Sequence, residues 1–77
     1  SNLDFESIKI IEKYLLTLKK EKKIIMVTHD MFQAMRLADE IIIINDGELI
    51  EISGKKNILK SKNKFTKNFF TKHILSL

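Results

Sequence analysis

The 77-residue sequence predicts an α/β fold in the order helix, strand, helix, strand, strand, helix, with one parallel strand pair and one antiparallel hairpin. Three observations carry this expectation. Two aliphatic runs, Ile24–Val27 and Ile41–Ile44, have strand length and no polar alternation, the pattern of strands buried on both faces. A short stretch of helical spacing separates them, so a right-handed crossover would set them side by side in one sheet. Asn45-Asp46-Gly47 then supplies the turn chemistry that folds the second run back onto Glu48–Ile52, where apolar and acidic residues alternate.

Taken in order, Phe5, Ile8, Ile11, Leu15 and Leu18 recur at helical spacing with Tyr14 beside them, predicting an amphipathic helix from Asp4 to about Lys20. Asp4 is its natural N-cap, and Glu6 near the start with Lys19 and Lys20 near the end is the order that the helix dipole favours. Glu21-Lys22-Lys23 breaks the pattern before the β-branched run Ile24–Thr28. Met31, Ala34, Met35 and Ala38, with Leu37 adjacent, predict a short helix capped by Asp30 or His29. After the hairpin, Asn57-Ile58-Leu59 suits one helical turn, Lys60 to Lys64 reads as linker, and Phe65, Phe69 and Phe70 with Ile74 and Leu75 predict a C-terminal helix docked by its aromatic side. These few elements cannot cover both faces of two fully apolar strands, so the chain is expected to be a piece of something larger.

Composition narrows the function classes. Without cysteine there is no disulfide scaffold, no thiolate nucleophile and no Cys-ligated zinc. The longest apolar runs fall far short of the roughly 20 residues that cross a bilayer, and no basic-then-apolar leader opens the sequence, so a cytoplasmic location is expected. The net charge of +4 is uneven: residues 1 to 53 carry 7 Lys/Arg against 10 Asp/Glu, whereas residues 54 to 77 carry 7 Lys and no acid. A basic tail with interleaved phenylalanines could lie on nucleic acid, but the helical spacing of those rings fits a docked amphipathic tail better, and nucleic acid is not an expected partner.

One residue stands where chemistry is useful. His29 follows the first aliphatic run and precedes a helix, and in an α/β sheet the carboxyl ends of the strands face the ligand crevice. A helix cap is the plainer role for a single histidine. Asp39-Glu40 and Asp46/Glu48 fit solvated surface better than a metal site, so no metal ligand is assigned. Met31 and Met35 fit packing, and His73 in the basic tail has no partner in sequence.

The wider pattern is more specific. Val27-Thr28-His29-Asp30, then Ala34, then Leu37-Ala38-Asp39, an aliphatic strand, Gly47-Glu48-Leu49-Ile50-Glu51 and Gly54 together resemble the C-terminal part of an ABC-transporter ATP-binding subunit, a P-loop NTPase fold. The resemblance covers residues 1 to about 60, with 61 to 77 left as a basic, helical tail. It implies that His29 is the switch histidine reaching the γ-phosphate of ATP, flanked by Thr28 and Asp30. It also implies that Ser1-Asn2-Leu3-Asp4 is the D-loop that meets the second ATP-binding subunit of a dimer.

ATP and Mg²⁺ are the implied cofactors of the intact domain, and membrane-embedded permease subunits its further partners, on the inner face of the cell membrane. The implied activity is ATP hydrolysis driving import of a small polar solute or oxyanion. The alternative is a non-catalytic ATP-binding remnant acting as an interaction module. The family's P-loop, Q-loop, signature sequence and Walker B acids do not occur in these residues, whose glycines are Gly47 and Gly54 alone. The 77 residues by themselves are therefore expected to be inactive and to bind no cofactor.

Overall fold

The structure is a computed structural model and describes residues 4 to 72. Helix α1 (Phe5–Leu18) starts where Asp4, in extended conformation, turns its carboxylate back on the helix and accepts from the Ser7 amide at 2.7 Å. That bond satisfies one of the amides a helix start leaves without a partner. Helix α2 (Met31–Leu37) begins in the same way: Asp30 Oδ1 accepts from the Phe32 and Gln33 amides at 2.9 and 3.2 Å.

Strands β1 (Glu40–Asn45) and β2 (Glu48–Gly54) form an antiparallel hairpin, the two-stranded sheet of the described residues. Asp46 and Gly47 both take positive φ, 50° and 76°, as a tight turn matched to the right-handed twist of its strands requires. The pairing runs from Glu40 opposite Gly54 to Asn45 opposite Glu48, and it slips between Ile43, which faces Glu51, and Ile44, which faces Leu49. Ile50 is thus the extra residue of a bulge. Helices α3 (Lys55–Ile58) and α4 (Lys64–Phe70) follow, and the Asn63 side chain caps α4 by accepting from the Thr66 amide at 3.1 Å.

The core lies on one face of the hairpin. Met31 of α2, Ile41 and Ile43 of β1, Ile58 of α3 and Phe70 of α4 are buried together, with Ala34, Met35, Ile50, Phe65 and Phe69 packed around them. The alternate residues of β1, Ile42 and Ile44, are 48% and 65% exposed on the other face. The C-terminal helix docks through Phe70, which joins the buried cluster, with Phe65 and Phe69 packed against it; within α4 the Phe65 and Phe69 rings stack at 6.1 Å and Phe69 meets Phe70 edge-on at 5.9 Å. Ile74, Leu75 and His73 lie outside the described residues. No residue of α1 belongs to the buried apolar cluster, although α1 is the longest helix.

One expectation is not confirmed. Among the described residues Ile24–Thr28 forms no ladder, and the sheet consists of β1 and β2 without a parallel partner. The segment keeps the alternation of an extended chain, with Ile24 and Met26 each 38% exposed and Ile25 and Val27 at 91% and 90%. Parallel pairs persist in sheets covered on both faces. Among the described residues no element covers Ile25 and Val27, so pairing would gain a few backbone hydrogen bonds without burying the side chains that normally stabilise such a strand.

Candidate functional site

His29 sits in the loop between the extended Ile24–Thr28 segment and α2, and it is exposed. Its two neighbours fix its backbone. The Asp30 amide donates to Thr28 Oγ1 at 3.0 Å, and the Asp30 carboxylate is committed to the first turn of α2. Thr28 and Asp30 therefore tie the histidine to the start of α2 while leaving its imidazole free to meet a ligand as donor or acceptor.

Asp4 stands at the start of α1, exposed, with its carboxyl held below the ordinary aspartate value by the Ser7 amide. Ser1, Asn2 and Leu3 lie outside the described residues. Phe5, directly after Asp4, and Asp30, directly after His29, line one groove of about 550 Å³ between α1 and α2. Lys9 extends along its edge with Nζ 5.6 Å from the Phe5 ring centre.

Across that groove a two-pronged polar contact joins the two helices. Glu12 of α1, buried, accepts from Arg36 Nε at 2.8 Å, from Arg36 Nη2 at 2.7 Å and from Gln33 Nε2 at 3.2 Å. The Arg36 hydrogen bonds pull the Glu12 carboxyl below its ordinary value against the opposing effect of burial, and the same bonds raise Arg36. Farther along, Lys19 Nζ donates to the Leu37 carbonyl at 3.1 Å and to Asp39 Oδ1 at 3.2 Å.

The described residues do not make a complete ATP·Mg²⁺ site. Gly47 and Gly54 both belong to the hairpin, so no glycine-rich loop cradles phosphates, and no cluster of three His, Asp or Glu side chains is arranged to hold a metal ion. What the arrangement offers is one accessible imidazole and one capped carboxylate, each at the start of a helix.

Sequence reasoning missed the Glu12–Arg36–Gln33 contact. Its signal was present, since Glu12 falls four residues after Ile8 and one after Ile11, inside the apolar stripe of α1. Sequence periodicity alone shows a charge on an apolar face but not the partner that compensates it.

No protein-family model matches the chain, and no solved structure does. Curated relatives do. The phosphate import ATP-binding protein PstB of Malacoplasma penetrans is 42% identical over 65 residues, 83% of this chain and 23% of the relative. The phosphate import ATP-binding protein PstB 1 of Enterococcus faecalis is 42% identical over 72 residues, 92% of this chain and 29% of the relative. The carnitine transport ATP-binding protein OpuCA of Listeria monocytogenes is 40% identical over 65 residues, 80% of this chain and 16% of the relative. The chain thus spans less than a third of the length of these relatives. Along most of its length the chain is a homologue of ABC-transporter ATP-binding subunits.

Proposed function

We propose that these residues are the distal segment of the ATP-hydrolysing subunit of an ABC importer, with residues 1 to 60 in the ATP-binding domain and 61 to 77 as its basic tail. The observation that carries this reading is His29: exposed, fixed between Thr28 and Asp30 at the start of α2, in a chain homologous to ATP-binding subunits. His29 is the switch histidine, with Thr28 and Asp30 as its flanks, and Ser1, Asn2, Leu3 and Asp4 form the D-loop that meets a second ATP-binding subunit. The parallel strand pair belongs to the same reading, since the remainder of a longer subunit would cover Ile25 and Val27.

ATP and Mg²⁺ supply the transferable γ-phosphoryl group and its charge compensation when bound. The residues of this segment contribute a hydrogen-bond donor that meets negative charge, through His29, and a contact across the subunit boundary, through Asp4. An oxyanion is the favoured cargo, because relatives in Malacoplasma penetrans and Enterococcus faecalis are named for phosphate import. Permease subunits in the membrane are the further partners, with the segment on the cytoplasmic side. No described helix is long and apolar enough to cross a membrane.

The test is His29→Ala in the intact subunit: ATP turnover falls by roughly a hundredfold, about what loss of one charge-stabilising donor costs, while ATP affinity stays close to unchanged. Turnover equal to that of the parent rejects the assignment. A second reading, a non-catalytic interaction module, draws on the bare Ile25 and Val27 side chains. It predicts a subunit that binds no ATP analogue and associates through that segment, which calorimetry and light scattering separate from the first reading.

A further inference from the structure

We propose that Glu12 and Arg36, with Gln33, form a positioning joint that sets how the Asp4 end of α1 stands against the His29 end of α2, so that the two loop residues are presented as one unit. The proposal rests on the functional reading above for the importance of Asp4 and His29, and on geometry for the coupling itself.

α1 gives nothing to the buried apolar cluster and is only half-buried at Ile8, Leu15 and Leu18, so directional contacts carry much of the constraint on its angle. One carboxylate takes the two-pronged grip of a guanidinium, at 2.8 and 2.7 Å, and an amide at 3.2 Å. This planar fork constrains orientation as well as distance. The Lys19 contacts to the Leu37 carbonyl and Asp39 supply a second attachment. Seven residues separate Glu12 from Lys19, about two turns on one face of α1, so the two attachments together resist both sliding and rotation.

The other side of the joint leads straight to the loop. The Gln33 amide donates to Asp30 Oδ1 while its side chain donates to Glu12, which links the histidine's flanking residue to α1 through one amino acid. Phe5 and Asp30 both line the groove that also holds Glu12 and Arg36. Glu12 and Arg36 touch no reacting atom in this scheme and act through the placement of others.

The test uses the intact ATP-binding subunit carrying this segment, with Arg36→Lys, Glu12→Gln, their double variant and His29→Ala. Arg36→Lys keeps the charge and removes the fork; it is expected to lower kcat roughly tenfold, the scale of a small misplacement, with KM for ATP unchanged. Glu12→Gln does the same, and the double variant is no worse than either single one, because each breaks the same joint. Hydrogen exchange gives the second readout: the Ser7 and Phe32 amides, at the starts of the two helices, lose protection together in Glu12→Gln. A fall in Tm with kcat retained, additive losses, or exchange that rises in α1 alone each overturns the proposal. His29→Ala with full turnover removes the functional reading instead, and the paired exchange change still decides whether the two helix starts are coupled.

Discussion

The fully buried hydroxyl of Thr66 donates to Oε1 of Glu51 at 2.8 Å, joining α4 to β2. The same oxygen accepts from Ser61 Oγ at 2.5 Å, so a carboxylate that the bulge sets on the helix side of the hairpin finds its partners there. Thr66→Val keeps the shape and deletes one donor. It is expected to lower unfolding stability by about 1 kcal/mol, near the low end for a lost buried hydrogen bond because Ser61 remains on Glu51. Urea denaturation measures it.

Ile58 is 1% exposed at the centre of the cluster, whereas Ile42 on the opposite face of the hairpin is 48% exposed. Ile58→Ala is expected to cost about 2 to 5 kcal/mol through lost burial and a residual cavity. Ile42→Ala costs a fraction of that, and the contrast between the two denaturation midpoints checks which face of β1 carries the core.

Acid should loosen α1 before it opens the core. The Glu12 carboxyl titrates below its unfolded value because Arg36 binds its charged form, and Asp4 is lowered by the Ser7 amide. A depressed carboxyl contributes stability that is present above its unfolded value, roughly pH 4, and is lost as pH falls through the lower folded value. Helical circular dichroism followed from neutral pH downward is expected to decline in that acid range, and Glu12→Gln to remove part of the pH dependence.

Ile25 and Val27 are the most exposed aliphatic residues of the extended segment, at 91% and 90%. In the isolated 77-residue chain, Ile25→Lys with Val27→Lys is expected to change stability by no more than about 0.5 kcal/mol and to reduce self-association seen by light scattering. In an intact subunit the same pair should be severely destabilising, which reports whether those side chains are covered there.

Local chemistry made most of these elements legible in the sequence. Asp4, and the pair Asp30 or His29 of which Asp30 proves to be the cap, announced both helix starts, Asp46-Gly47 announced the hairpin, and the spacing of Phe65, Phe69 and Phe70 announced α4, because each signal lies within a few residues of the structure it specifies. The pairing of Ile24–Thr28 was not legible for the opposite reason: a parallel strand depends on neighbours remote in sequence, and its side-chain pattern says that it needs cover without supplying any. The candidate site divided along the same line. The exposed loop position of His29 before α2 could be read from the aliphatic run ahead of it and the helical spacing after it, whereas the Glu12–Arg36 pairing, 24 residues apart, depends on how the two helices pack.

The absence of α1 from the buried cluster has a consequence for the order of unfolding. Salt and acid weaken charge-assisted contacts while sparing apolar burial, so α1 can detach while the hairpin, α3 and α4 stay folded. The first melting event expected of this chain is then a partial one, and it separates the Asp4 end of α1 from the His29 end of α2.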